Sequence, residues 1–578
     1  MNKNTACPLD CFDACEIVYL NDKITPKKSG HTKGFLCAHL NHYKNFSHIT
    51  KPRYNGEEIT MDEALLKLKE MLRDSKKNEI LHYKGNGNFG LMQDVTSHFF
   101  ASYGATLTDG SLCDGAGEAG IIEGRGSNKN MPLSEISKSE VVIIWGRNPH
   151  VSNSHLLPII KDKKIIVIDP IKTKIAKSAD LYIQIKPHSD LLLALMLNRF
   201  LHIYMSYDEE YLKSFASEYE DYYELTQSLR IKDTLDFIDV TLGQIGDILE
   251  IIKDKKVAIV CGVGVQKYRD GAEVMQAIDA FGVNLGLFGK EGCGVAYLGN
   301  SKEAINSPFN LKARKVSKVD TKFSNFKTLF IQGTNPLSQM PDSFRVTKEI
   351  SLVKNIVYFG LEENESSALA HLVIPAKSFL YKNDIRTSYS HNAIIDMPSV
   401  AECDYGISEY DLSAYLCSNF DIKLKSEVEY IEHFKSFRAE SENDSWYVKG
   451  REDVPYKNGF DTDDGEFIFL EDLDKPKYVD NGFHLITSKS HKSQNSQFTR
   501  EKNVYLNSSL GFKEGELVKI SSSNGYVKLK VKINDDIRND CILIYSGTKG
   551  VNALTTSHAS FSGKSAAYQE EKVEISRC

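Results

Sequence analysis

Cys7, Cys11, Cys15 and Cys37 open the chain with the spacing C-x3-C-x3-C-x21-C, and no other feature of the sequence limits its fold as strongly. The chain holds eleven cysteines in 578 residues. Neither a twin arginine nor an apolar leader precedes the first of them, so a cytoplasmic location with reduced thiols is expected, which favours metal ligation over disulfides. Zinc sites generally pair their cysteines in two tight halves. Three close cysteines and a distant fourth instead match the ligation of a cubane. The spacing therefore favours a 4Fe-4S cluster, with a zinc knot or buried free thiols as the competing readings.

Behind these cysteines the chain is long enough for three or four domains. With 41% hydrophobic and 26% charged residues it has the composition of an ordinary globular protein. A formal net charge of -7 gives no basic surface for nucleic acid or anionic lipid. The longest apolar run, Leu191 to Leu197, is broken by Asn198, Arg199 and His202, well short of the ~20 residues that cross a bilayer. No membrane insertion is expected.

Short β-branched runs at Val141–Ile144, Ile165–Ile168, Val257–Val260 and Asn355–Tyr358 alternate with longer helical patterns, which predicts α/β architecture with parallel sheets. The stretch from Ala439 to Asp474 is polar and weakly periodic, and reads as a loop-rich connector. Beyond it, short strands with turns at Asn524-Gly525 and Asn534-Asp535-Asp536 predict a β domain. Gly85-Asn86-Gly87-Asn88-Phe89-Gly90 fits a dinucleotide fingerprint, with Asp109 as a ribose ligand, or else a tight strand-to-helix turn.

In order along the chain, these segments resemble the molybdopterin oxidoreductase family, whose members carry a bis-(molybdopterin guanine dinucleotide) cofactor with molybdenum or tungsten. Gly110-Ser111-Leu112-Cys113-Asp114-Gly115 looks like the family's metal-ligand loop and puts Cys113 at the ligand position. Val141 to Pro149 resembles a guanine-dinucleotide strand and loop lined by Gly146 and Asn148. Ile166-Val167-Ile168-Asp169-Pro170 and Lys186-Pro187-His188-Ser189-Asp190 resemble the strand ends whose carboxylates meet guanine or ribose, although Asp169 and Asp190 also suit helix capping. Gly262 to Gln266 and Gly289 to Gly294 look like further cofactor loops. Gln332 to Pro336 and Ala370 to Ala376 echo the second half of a repeated α/β pair, from which Asn335 and Lys382 reach the other nucleotide. Thr487, Lys489, Ser490 and Asn552 resemble the loops of a closing β-barrel that cap the pterins, and the glycine fingerprint becomes a pterin loop with Asn88 as its contact.

The resemblance implies a cluster domain over 1–50 and α/β domains over 51–478. Their first dinucleotide half is about 109–317, and the second is about 51–108 plus 318–400. A β-barrel domain covers 479–578. It also implies two-electron chemistry or oxygen-atom transfer on a small substrate, with electrons passed to a separate partner. Two positions depart from the family pattern. His39 stands where a lysine usually lies in the electron path, and Asp114 stands where formate dehydrogenases have a histidine; a carboxylate there repels formate unless protonated or paired, and Asp114 or a group near it is the expected proton handler. A non-redox hydratase and a non-catalytic electron-transfer subunit are the alternatives.

Overall fold

The computed structural model describes residues 3–43, 47–85, 90–439, 445–473 and 482–578. Asn88 lies outside them. The chain forms two compact units that interleave in sequence: one from residues 1–110, 301–451 and 491–500, the other from 111–300, 452–490 and 501–578.

In the second unit, five parallel strands lie in the order Leu181–Ile183, Lys164–Ile168, Val141–Trp145, Val257–Cys261, Gly294–Ala296. Both faces are covered. Val141, Ile143 and Trp145 point into one apolar core and Val142 and Ile144 into another, which is why the β-branched run is continuous rather than alternating. The Leu191–Leu197 run forms half of a buried helix, Asp190–Ile203. It packs beside Gly271–Asn284, where Asn284 Nδ2 donates to Asn198 Oδ1 at 2.8 Å. The helix Gly115–Arg125 lies on the same partner and is locked there by Arg125 and Asp279, both buried, with Nε to Oδ2 at 2.7 Å.

A closed six-stranded barrel follows: Phe483–Ile486, Cys541–Leu543, Asn503–Leu506, Tyr526–Ile533, Leu517–Ser521 and Lys572–Arg577. The Asn524-Gly525 turn joins two of its strands, as predicted, with Ser522 N donating to Gly525 O at 2.9 Å.

In the first unit, the order is Lys315–Ser317, Thr106–Asp109, Ile80–Lys84, Thr328–Gln332, Asn355–Gly360, Leu372–Pro375, Arg53–Tyr54, Glu57–Glu58. The first six strands are parallel, and the last two form an antiparallel edge. A small antiparallel sheet, Lys3–Ala6, Glu16–Leu20 and Lys23–Pro26, frames the cysteine loop. The expected α/β multidomain fold with a terminal barrel is the fold observed.

The connector is more than a loop. Tyr456, Phe460, Phe467 and Phe469 are buried in the main core of the second unit, and the Arg125 guanidinium lies 5.8 Å from the Tyr456 ring centroid. Their irregular spacing hides this role from any periodicity.

Candidate cofactor and metal site

Each large sheet reverses strand order once, and ligands of open α/β sheets bind outside the carboxyl ends of the strands at that point. Both reversals are built alike. In the second unit Gly146, at φ +61, meets Gly262 so closely that a Cβ on Gly262 would lie 1.9 Å from the Gly146 carbonyl oxygen. In the first unit Gly333, at φ +57, meets Gly85, whose Cβ would lie 2.6 Å from the Gly333 oxygen. After each positive-φ glycine comes a residue, then an asparagine, then a proline that starts a short helix.

The two asparagines differ in their side chains. Asn335 is fully engaged: Nδ2 donates to Glu365 at 2.8 Å and Ser496 at 3.3 Å, and Oδ1 accepts from Ser366 at 2.7 Å. Asn148 Oδ1 is buried without a partner. Past the carboxyl ends of strands in the same sheet, the hydroxyls of Ser154, Thr173 and Ser189 are also buried and unpartnered. Orphaned buried polar atoms are rare in folded proteins unless they await a ligand or water.

Asp169 and Asp190 are buried past strand ends of the same sheet. Asp169 accepts from Ile171 N at 2.8 Å, and burial pushes its carboxyl up to about 7. Asp190 accepts from Trp145 Nε1 at 2.7 Å, and burial pushes it up to about 6, opposed by that bond. Neither side chain is the cap of a helix: Asp169 holds the turn at Ile171, and the helix Asp190–Ile203 has Ser189 as its N-cap. Pro170 is half-buried beside Asp169, and its carbonyl accepts from Gln184 at 3.1 Å.

The loop bearing Cys113 is held from several sides. Ser111 Oγ accepts from the backbone N–H groups of Cys113 at 2.9 Å and Asp114 at 3.2 Å, and donates to Asp114 Oδ1 at 3.0 Å. Gln266, buried, donates to the Cys113 carbonyl at 2.8 Å and accepts from Gly117 N at 3.0 Å. Lys267 donates to the carbonyls of Leu112 at 2.9 Å and Cys113 at 2.5 Å. Burial pulls its ammonium below the ordinary lysine range, Cys113 and Asp114 oppose this, and Lys489 adds to it. Lys267 thus brings a cation onto the loop, and Lys489 lies near enough for its charge to act on Lys267. Tyr297 is fully buried, its hydroxyl has no partner, and burial with Asp114 and Cys113 nearby pushes that hydroxyl well up. Sequence reasoning missed Lys267 and Tyr297. The first adjoins Gln266 and was within reach of it, whereas the second carries no local signal.

In the first unit, Cys7, Cys11, Cys15 and Cys37 lie near enough for their charges to act on one another. Burial pushes Cys7 up to about 12, Cys11 and Cys15 well above the ordinary thiol range, and Cys37 upward, and each of the first three feels the charge of Cys37. Cys7 N donates to Cys15 O at 2.8 Å. Cys37 is the N-cap of the helix Ala38–His42 without a side-chain capping bond, and the backbone N–H groups of Leu40 and His39 oppose the upward push on its thiol. His39 is half-buried there. Among the described residues, no three His, Cys, Asp or Glu side chains gather tightly enough for a single metal ion.

The other predicted residues lie as follows. Lys382 is buried and forked onto Glu409 at 2.7 and 2.6 Å. Thr487 and Lys489 are half-buried just past a barrel strand, Ser490 is buried, and Asn552 is buried in the turn Val551–Ala553. The Gly289–Gly294 loop corrects an expectation. It precedes the strand Gly294–Ala296, so it lies at the amino edge of the sheet, opposite the strand ends just described, and there Gly292 N donates to Glu135 at 3.1 Å.

A family model described as molybdopterin oxidoreductase matches residues 57–403, and one described as the molydopterin dinucleotide binding domain matches 483–571. The chain is 27% identical to the probable oxidoreductase YyaE of Bacillus subtilis over 67% of its own length and 64% of that protein. It is 24% identical to the probable oxidoreductase YoaE of the same organism over 99% and 98%. It is also 22% identical to the F420-dependent formate dehydrogenase subunit alpha of Methanocaldococcus jannaschii over 89% of each chain. Among solved structures it resembles acetylene hydratase from Pelobacter acetylenicus, with a TM-score of 0.75 and 15% identity over the full length of both, which is a likeness of fold. No helix among the described residues is long and apolar enough to cross a membrane.

Proposed function

The chain belongs to the molybdopterin oxidoreductase family, and from that premise we propose that it is a bis-(molybdopterin guanine dinucleotide) enzyme of molybdenum or tungsten. In this reading it carries one 4Fe-4S cluster, oxidises or reduces a small substrate by two electrons, and exchanges those electrons with a separate carrier.

The observation that carries this reading is the set of buried, unsatisfied polar groups at the strand ends of the second unit. Asp169 and Asp190 are acceptors matched to the N–H donors of guanine, and Asn148, Ser154, Thr173 and Ser189 add further unfilled bonds. The glycine pair Gly146 and Gly262 lets a ligand reach the backbone. When bound, the cofactor supplies a metal that exchanges ligands and changes oxidation state by two electrons. Cys113 offers that metal a soft donor, and Ser111, Gln266 and Lys267 fix its loop. Lys267 and Lys489 favour an anionic group there, either a cofactor phosphate or an anionic substrate. Asp114 can take or give a proton at its carboxylate, and the Tyr297 hydroxyl can donate one hydrogen bond.

Four thiols whose charges act on one another suit a cubane, whose irons sit at separate corners and take one thiolate each, so its ligands stand further apart than those around a single ion. Their raised proton affinity is a property of the metal-free pocket, since metal binding displaces the protons.

Anaerobically purified protein should contain iron and sulfide, molybdenum or tungsten, and GMP released on acid hydrolysis. Its visible absorbance should bleach with dithionite. Iron without molybdenum, tungsten or GMP would leave only an electron-transfer subunit. A metal that holds one oxidation state throughout turnover would favour the hydratase reading instead.

A further inference from the structure

The cysteine loop is laced down by side chains from more than 370 positions away in sequence. Arg386 Nη2 donates to Leu9 O at 2.8 Å, Ser388 Oγ donates to Phe12 O at 2.8 Å, and His391 Nε2 bonds Asp13 O at 2.9 Å. Gln494 reaches the carbonyl of Asp10. Three of these contacts are neutral and could serve only to hold the backbone. Arg386 differs, because it brings a permanent positive charge with none of its side chain exposed, and that charge acts on Cys7.

Beside Cys15, the buried Glu16 is paired with Lys27 at 2.9 Å. His391 is kept neutral, chiefly by burial, with His31 and then Arg451 and Arg386 adding to the effect. Asp13 is 2% exposed and opposes Arg386, since it acts on Cys11, Cys15 and Cys37. A cluster held by four thiolates is anionic, and reduction adds one more electron without making or breaking a bond. A buried fixed charge is weakly screened and so biases that step.

We infer that Arg386 is a positioning residue that raises the reduction potential of the cluster, with Asp13 as its opposing charge. The inference rests on the reading of Cys7, Cys11, Cys15 and Cys37 as cluster ligands. It assigns the electrostatic work near the cluster to a residue remote in sequence, whereas the usual lysine position holds His39.

The test is a dithionite titration of the whole protein followed by the EPR signal of the reduced cluster. Arg386→Gln keeps a donor for Leu9 O and removes the charge, so its reduced fraction at the wild-type midpoint should fall about tenfold relative to the oxidised, ~59 mV for a one-electron couple. Arg386→Lys should titrate near wild type. Asp13→Asn should move the midpoint the opposite way, and Ser388→Ala, which removes a neutral tie, should leave it unmoved. If Arg386→Gln does not retain a cluster, the sign of the Asp13→Asn shift and the Arg386→Lys midpoint still decide. Equal midpoints in all four variants, or a loss of cluster in Arg386→Lys, would overturn the inference while the ligand reading stands. A wild-type protein without iron would overturn both.

Discussion

Asp169 allows a prediction whose size follows from its surroundings. Its carboxyl is moved from 3.8 to about 7, first by burial and then by Asp190, against the pull of the Ile171 N–H. Each tenfold change in proton affinity is ~1.4 kcal/mol, so the ionised folded form is penalised by ~4 kcal/mol as an upper figure. Between about pH 4 and pH 7 the folded chain keeps a proton that the unfolded chain has lost, so stability falls as pH rises through that window and the whole penalty is present above it. Asp169→Asn retains an acceptor for Ile171 N and carries no charge. In protein made by a host lacking molybdopterin, urea unfolding should show no advantage for the variant near pH 4 and an advantage growing to a few kcal/mol at pH 8. In protein from a competent host, the same variant should retain less GMP, because an amide cannot accept two guanine donors. A stability difference that does not change with pH, or a variant less stable than wild type at pH 8, would refute the reasoning.

Three other substitutions probe separate parts of the molecule. Gly262→Ala puts a Cβ 1.9 Å from the Gly146 oxygen; it should cost ~1–3 kcal/mol or more as overpacking and lower the GMP bound per chain. Arg125→Met strands the buried Asp279 carboxylate and should destabilise by ~3–5 kcal/mol, most of which should return in the double variant with Asp279→Leu; thermal unfolding checks both. Cys113→Ala should abolish turnover while iron and GMP contents stay at wild-type levels, and retained turnover would remove Cys113 from the metal site.

What could be read from the sequence was what the backbone does locally. The β-branched runs at 141, 165, 257 and 355 all became strands of parallel sheets, because burial on both faces demands that composition. The order of modest motifs was enough to reach the family. Tyr297 and Arg386 were not legible, since each matters through a contact with a distant segment and a lone residue carries no periodicity. The same limit explains the connector, where four aromatics at 456, 460, 467 and 469 fill a core in no regular register. It also explains Gly289 to Gly294. Glycine content identifies a tight loop, and only strand direction tells which end of the sheet that loop occupies.

The two switch points carry this distinction furthest. Gly146 and Gly333 both take positive φ, both lead through an asparagine into a proline-started helix, and both meet a glycine across the reversal. Backbone geometry has therefore been kept in duplicate. The side chains have not, since Asn335 is tied to Glu365, Ser366 and Ser496 while Asn148 keeps an open acceptor, in a sheet whose neighbouring strand ends carry the proton-hungry carboxyls of Asp169 and Asp190. A polar ligand entering at Asn148 meets groups whose desolvation the fold has already met, so its hydrogen bonds count nearly in full. At Asn335 it would first have to break existing bonds, or else bind through the backbone alone. If two nucleotides are bound, they are held by unequal means, and the one at Asn148 should be the more sensitive to pH because Asp169 and Asp190 titrate at about 7 and about 6.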